Sequence, residues 1–140
     1  MNRIVRLGSA VVALGVAVAA QAAWSSKTYV FKPGTKLEVG ADLGDGLSLK
    51  SVEFLLPDDD RAGAAVKADV AIANSSDAPE KIGIAIALFA EDGALVGVAS
   101  GSSKFLAIKP GRISFYVLEF QDVNERIGEA ARFQITVESK

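Results

Sequence analysis

Residues 82–97 read IGIAIALFAEDGALVG, and this stretch decides the fold class. Isoleucine or leucine occupies each even position from 82 to 88, and glycine or alanine occupies the odd positions between them. Successive side chains of a β-strand point to opposite faces, so this period of two predicts a strand with one large apolar face. Glu91-Asp92-Gly93 predicts a tight turn, because Gly93 can adopt a positive φ. Leu95 to Ala99 is then expected to return as the hairpin partner.

The same alternation extends on both sides of this hairpin. Inward-facing apolar rows are expected in Leu37–Leu43, Leu47–Leu56, Val66–Ile72 and Phe133–Val137, and a buried strand is expected over Ile113–Phe120. The apolar positions change phase near Lys50-Ser51, which predicts a bulge or bend there, because a slip of one residue exchanges the two faces of a strand.

One segment near the end departs from the period of two. Asp122-Val123-Asn124-Glu125 has the spacing of a helix capping box, and Val123 and Ile127 are four residues apart. The pattern predicts one short helix or a pair of helical turns over Asp122–Ala130.

Short strands separated by glycine and proline turns are typical of a two-sheet fold. Lys32-Pro33-Gly34-Thr35 and Lys109-Pro110-Gly111-Arg112 are two such turns. We therefore expect an all-β, antiparallel, immunoglobulin-like or fibronectin-III-like β-sandwich of seven or eight strands with one short helix. A length of 140 residues favours a single domain, which we place at 23–140.

The first 22 residues have the three parts of a cleaved signal peptide. Arg3 and Arg6 precede an apolar run over Leu7–Ala20, and Ala20-Gln21-Ala22 offers small residues before a cut. The apolar run is too short to span a bilayer as a helix, so no stable membrane span is expected after cleavage. The remaining 118 residues hold 13 basic and 17 acidic residues, a net charge of −4, which argues against nucleic acid as a partner. We expect a periplasmic or secreted protein of a bacterial envelope.

The chain contains no histidine and no cysteine. This composition excludes histidine-dependent and cysteine-dependent nucleophile systems, zinc fingers, iron–sulfur clusters and disulfides. No cofactor is expected. A site built from carboxylates alone stays open.

The order of segments from Val66 to Phe120 is similar to a known family. A strand ending in Asn74 is followed by a strand, the turn Glu91-Asp92-Gly93, a return strand, Leu106, Lys109-Pro110-Gly111 and a strand containing Phe115. This order resembles FxLYD-type domains, immunoglobulin-like sandwiches of bacterial and archaeal envelope proteins. The resemblance implies a binding or structural module and no catalytic residues.

Acidic residues supply two candidate sites. Asp58-Asp59-Asp60, with Asp42 and Asp45, can offer oxygen ligands to calcium, although calcium needs six to eight oxygens and the segment also fits a solvated turn. Paired carboxylates are the catalytic groups of glycosidases, and the acids nearest apolar strands are Glu53, Glu91, Asp92 and Glu119. These acids can equally lie on the outward, solvent-exposed faces of strands. We expect no enzyme activity.

The odd positions Gly83, Ala85 and Ala87 form a row of small side chains, named here the Gly/Ala row. Such a flat face can be covered by the predicted helix, by the N-terminal segment or by a second molecule, and it is the candidate partner-binding site. Trp24, Tyr29 and Phe31 are expected to dock as a first strand or to be donated to the sheet edge of a neighbour.

The expected function is a non-enzymatic protein-interaction or structural module. Its partner would be another envelope protein or a second copy of the chain. Two alternatives remain open at this point. One is an immunoglobulin-like protease inhibitor that inserts a loop such as Pro57–Gly63, and the other is a carrier with a cavity for a small apolar ligand.

Overall fold

A computed structural model describes residues 24–57, 64–104 and 106–140. The described chain consists of two antiparallel four-stranded sheets that face each other as a sandwich. The strands are β1 (Trp24–Val30), β2 (Leu37–Gly44), β3 (Leu47–Leu55), β4 (Val66–Asn74), β5 (Ile82–Ala90), β6 (Leu95–Ser102), β7 (Arg112–Phe120) and β8 (Ala130–Ser139). The signal peptide predicted for 1–22 lies outside these ranges. Within them, no helix has the length and apolar character needed to cross a bilayer.

The first sheet has the strand order β1-β8-β5-β6, and the second has the order β2-β3-β4-β7. Four strands therefore lie at sheet edges, namely β1, β6, β2 and β7. The face of each sheet that points away from the other sheet is called its outer face below. The inner faces supply the core, because each strand contributes every second residue to the space between the sheets.

Most of the expected inward rows are confirmed. Ile82, Ile84, Ile86 and Leu88 are buried, and so are the inward positions of β4 and β8. The predicted bulge is present, because the pairing of β3 with β4 shifts register between Leu49 and Ser51. Leu56 is an exception, since it follows the end of β3 and is exposed.

The centre of the core is a cluster of phenylalanine rings from both sheets. Phe54 lies 4.8 Å from Phe31 and 4.8 Å from Phe133, measured between ring centroids, and 6.2 Å from Phe120. Edge-to-face packing of this kind adds stability beyond the apolar area it buries. Phe31 follows β1 directly, so the N-terminal aromatic segment docks on its own domain.

The one short helix expected over Asp122–Ala130 does not form, and the alternative of a pair of turns is closer to the structure. The backbone nitrogen of Arg126 donates to the carbonyl oxygen of Val123, and a 3-10 turn over Ile127–Glu129 follows. A helix N-cap has an extended backbone, whereas Asp122 has a φ of 54°, so the capping-box sequence does not start a helix. Val123 is instead buried against β6, at the position where Gly97 has no side chain.

One end of the sandwich is held together by the side chain of Asn74, which is 1% exposed. Its Nδ2 donates to the carbonyl oxygens of Ala78 and Ile108, each at 2.8 Å. Its Oδ1 accepts hydrogen bonds from the backbone nitrogen of Ser76 at 2.9 Å and from the Ser76 hydroxyl at 2.6 Å. The Asn74 side chain thereby joins the loop after β4 to the loop before β7.

Candidate interaction surface

Strand β7 exposes three large apolar side chains on the outer face of its sheet. Ile113 is 52% exposed, Phe115 is 74% exposed and Val117 is 60% exposed. The expectation that Ile113–Phe120 is a buried strand is therefore wrong for these positions and right for Leu118 and Phe120, which face the core. We call Ile113, Phe115 and Val117 the β7 row.

The alternation of β7 explains why these side chains face water. Its even-numbered residues from Ser114 to Phe120 face the other sheet, and its odd-numbered residues face outward. Apolar residues occupy both sets, so the inner set fills the core and the outer set has no second layer to pack on among the described residues. Three neighbouring exposed apolar side chains differ from the single ones that are common on protein surfaces.

The next strand extends this surface with small residues. In the β4–β7 register, Ile113 lies opposite Ala73 and Phe115 lies opposite Ala71. Beyond them the surface becomes charged, because Val117 lies opposite Asp69 and Glu119 forms a 3.2 Å ion pair with Lys67. The β7 row is thus an apolar strip that ends at an ion pair, a pattern typical of interfaces with a polar rim.

Leu106 adds a further exposed apolar side chain beside the row. It lies in the connection between β6 and β7 and lines an open recess of about 370 Å³ together with Phe115 and Tyr116. The recess is mainly apolar at this end of β7. The accessible apolar surface therefore continues from the strand into the adjoining loop.

The position of β7 at a sheet edge adds backbone groups to this surface. All nine residues of β7 pair with β4 without a register shift. On its other side, β7 has no hydrogen-bonded strand among residues 24–57, 64–104 and 106–140. An edge strand of this kind carries N–H and C=O groups without a strand partner, and here β6 of the other sheet lies beside β7.

The other three edges carry features that hinder strand addition. Strand β2 has two register shifts against β3, with Gly40 at a φ of 65° within the first. Strand β6 has a register shift near its start and contains Gly97 and Gly101. In β1, Lys27 lies opposite the buried Ile135, so a charged residue occupies the inward face of that edge. Bulges and inward-pointing charges are the usual protections of sheet edges, and β7 alone among the four is regular and apolar.

The Gly/Ala row lies on the outer face of the other sheet, at the centre of β5. Ala85 is exposed, and Gly83 and Ala87 are half-buried. Its neighbours in register are polar, because Thr136 lies opposite Ala85 and Gln134 lies opposite Ala87. The first described strand, β1, does not cover this row, since it pairs with the edge of β8 instead.

The predicted carboxylate sites are separated in the structure or lie outside it. Asp58, Asp59 and Asp60 fall outside the described residues, as does most of the loop from Pro57 to Gly63. Asp42 accepts a hydrogen bond from the backbone of Gly44, and Asp45 accepts one from the hydroxyl of Ser139. Among the residues that the structure does describe, no group of three or more potential ligands is placed to hold a metal ion.

The four acids considered for catalysis lie apart in the fold. Glu53 is on β3 and Glu119 is on β7, with β4 between them, while Glu91 and Asp92 form the turn between β5 and β6. Glu119 is engaged with Lys67, and the Asp92 carboxylate accepts a hydrogen bond from the backbone of Ala94. Of these acids, Glu91 and Asp92 therefore belong to a turn, and Glu119 belongs to a surface ion pair.

An apolar recess of about 210 Å³ opens between strands β1 and β2. Tyr29, Leu37, Phe54 and Phe133 contribute to its wall. Sites for drug-sized ligands have volumes of about 300–1,000 Å³, so this recess is smaller than that range. Burial raises the pKa of Tyr29 above its ordinary value of 10, because the low-polarity surroundings disfavour the phenolate.

Comparisons with protein-family models, with curated proteins and with solved structures give no significant match to this chain. The fold and the exposed β7 row therefore provide the basis for a functional proposal.

Proposed function

We propose that this protein is a non-enzymatic interaction module that binds another protein chain through the β7 row. One observation supports this function above the others. The single edge without a bulge, glycine or inward charge also exposes three adjacent large apolar side chains. Strand addition at such an edge supplies backbone hydrogen bonds for affinity and alternate side chains for specificity.

The proposal includes an immunoglobulin-like identity for the sandwich, related to FxLYD-type domains. Strands β4 and β7 pair in one sheet and β5 and β8 pair in the other, while the chain crosses between sheets from β4 to β5 and from β7 to β8. In immunoglobulin sandwiches, strands B and E pair in one sheet and strands C and F pair in the other, with the same two crossings. The same strand pairings and the same two crossings between sheets support this identity.

We place the module in a bacterial envelope, in the periplasm or outside the cell. Support comes from the sequence of the first 22 residues, with its basic start, apolar run and small residues before a cut. The chain has no cysteine, so a disulfide does not contribute to its stability. Its stability comes instead from the core, in which phenylalanine, leucine and isoleucine side chains of both sheets are fully buried.

Site-specific photo-crosslinking in the native envelope tests this function. A benzophenone amino acid replaces Phe115 in one variant and Trp24 in a matched control. Both positions are aromatic and strongly exposed, but Trp24 lies on the protected edge β1. We expect a defined crosslinked product at position 115 and none at position 24.

The protein captured in the crosslinked product is then purified, and its affinity for this chain is measured. The double variant Ile113→Lys/Val117→Lys should weaken that binding by about tenfold or more, because charged residues at an edge oppose strand addition. Equal crosslinking at both positions, or no product at position 115, would contradict the proposed binding surface.

A further inference from the structure

We infer that the β7 row binds a basic peptide segment of its partner, in which an arginine lies between apolar residues and pairs with Glu53 and Asp69. This inference rests on the proposed function, since it names the chemistry of the partner at the same surface. The contact is made with the outer face of the sheet. It does not require the free edge of β7, beside which β6 lies.

The two carboxylates lie on the same outer face as the β7 row. In the register of the sheet, Glu53 of β3 lies opposite Asp69 of β4, and Asp69 lies opposite Val117 of β7. Both acids are half-buried. Like charges on directly opposite residues of antiparallel strands destabilise a sheet, because the Cβ atoms are only about 4.5–5.5 Å apart. A cation placed between these carboxylates would remove that repulsion.

The domain does not supply this cation from its own described residues. Within residues 24–57, 64–104 and 106–140, neither carboxylate forms an ion pair. Lys67 is two positions from Asp69 on β4, and its Nζ lies 3.2 Å from the Oε1 of Glu119, with which it is already paired. The negative charge of Glu53 and Asp69 is therefore complementary to a basic group of a partner.

Arginine is the basic residue that fits this position best. Its planar guanidinium group can donate hydrogen bonds to two carboxylates at once, and it also stacks on aromatic rings. Phe115 is 74% exposed and is the diagonal neighbour of Asp69 in the β4–β7 register. Diagonal neighbours are about 7–8 Å apart, which is within reach of a long side chain. One guanidinium group can thus contact the carboxylates and the ring together.

The floor beside Phe115 is made of small residues, so apolar side chains of the same segment can pack close to the sheet. Ala71 lies opposite Phe115, and Ser51 lies opposite Ala71. Both are nearly fully buried although they belong to the outer face. Ala73, opposite Ile113, continues this floor. The β7 row itself spans about 14 Å along the strand, which suits one short segment.

Peptide titrations followed by NMR on the purified chain test this inference. Three peptides of seven residues alternate valine with arginine, with citrulline or with glutamate. Citrulline has nearly the shape of arginine but no charge. We expect the arginine peptide to shift the amide signals of residues 67–73 and 113–119, with a Kd below about 1 mM. The citrulline peptide should bind at least about tenfold more weakly, and the glutamate peptide should not bind.

A pair of double variants identifies the carboxylates responsible. Glu53→Gln/Asp69→Asn removes both charges and keeps the shapes of the side chains. Glu91→Gln/Asp92→Asn is the matched control, because it changes the net charge equally in the turn between β5 and β6. The first variant should weaken binding of the arginine peptide by about tenfold or more, and the control should leave it unchanged. Because the repulsion is removed, the first variant should also melt at a higher temperature than the unmodified chain.

Equal binding of the arginine and citrulline peptides, or of the arginine peptide to both double variants, would overturn this inference. So would a lower melting temperature of Glu53→Gln/Asp69→Asn, since it would show that these carboxylates stabilise the domain itself. If no peptide binds but the photo-crosslinker at position 115 captures a protein that binds through the β7 row, the inference fails and the proposed function stands. If neither experiment gives a signal at β7, both fail.

Discussion

The side-chain amide of Asn74 donates a 2.8 Å hydrogen bond to the carbonyl oxygen of Ile108, which lies 34 residues further along the chain. This bond connects the end of β4 to the loop that leads into β7. The position of the β7 row consequently depends on a buried polar side chain that lies beside it in the same sheet.

Asn74→Ala should destabilise the domain by about 2–4 kcal/mol, because it leaves buried backbone groups without their hydrogen-bond partner. Asn124→Ala is the matched control. Asn124 is exposed and donates a 2.7 Å hydrogen bond to the carbonyl of Ala64, so its loss should cost less than about 1 kcal/mol. Urea unfolding followed by circular dichroism measures both free energies. Equal effects of the two substitutions would show that Asn74 has no special role.

Gly46→Ala should also destabilise the domain by about 2–4 kcal/mol, from two sources. Gly46 has a φ of 76°, and a Cβ there would lie 2.7 Å from the Cβ of Ser76. Gly40→Ala separates these sources, because Gly40 has a φ of 65° but nothing within 4 Å of the added atom. The control should cost about 1 kcal/mol. Thermal unfolding of the two variants tests the difference. Equal melting temperatures would show that the close contact with Ser76 does not contribute to the loss of stability.

Gly97→Ala should cost about 1–3 kcal/mol, because the new methyl group meets the buried side chain of Val123. Gly83→Ala is the control in the neighbouring strand, where the nearest atom to an added Cβ is the Glu138 Oε2 at 3.9 Å. It should be neutral or slightly stabilising. In the double variant Gly97→Ala/Val123→Ala, the two losses should be less than additive. Full additivity, measured by denaturant unfolding, would show that these residues do not interact.

Above pH 10, stability should decrease as the tyrosines ionise. Burial raises the pKa of Tyr29 and Tyr116 above 10, and a hydrogen bond with Ser114 opposes part of the effect on the pKa of Tyr116. A tyrosine whose pKa is higher in the folded state stabilises that state below pH 10, and this contribution is lost as the pH rises through the folded-state pKa. These are the two tyrosines of the chain, so absorbance at 295 nm reports their titration.

The double variant Tyr29→Phe/Tyr116→Phe provides the comparison for this pH dependence. The difference in unfolding free energy between the unmodified chain and the double variant should change in favour of the variant as pH rises above 10. A difference that is constant from pH 8 to pH 12 would contradict the expected contribution of the two phenols.

The inward rows of the core could be predicted from the sequence because they follow from local alternation. Ile82 to Leu88 and Phe133 to Val137 each have one strongly apolar face, so the buried side is unambiguous. The bulge near Ser51 could be predicted for the same reason, since the apolar phase changes there. The turn at Asp45-Gly46 between β2 and β3 could also be predicted from the sequence, because an aspartate–glycine pair is a strong hairpin signal.

The exposure of β7 could not be predicted in this way. Its residues are apolar on both faces, from Ile113 and Phe115 on one to Leu118 and Phe120 on the other. Such a strand is expected in the middle of a sheet that is covered on both sides. Its place at an edge depends on pairing with β4, about 40 residues earlier in the chain, and local patterns contain no signal for this.

The first and last strands of the described chain are hydrogen-bonded neighbours, with Trp24 opposite Glu138 and Val30 opposite Arg132. Tension applied between residue 24 and residue 139 would thus act on one end of an antiparallel ladder. The hydrogen-bonded pairs of this ladder would then break one after another. They would not share the load, as they would if the two strands were pulled past each other in shear. The chain therefore enters at residue 24 and leaves at residue 139 from the same corner of the domain, and a pull between these two points would separate β1 from β8 before it reached the phenylalanine core.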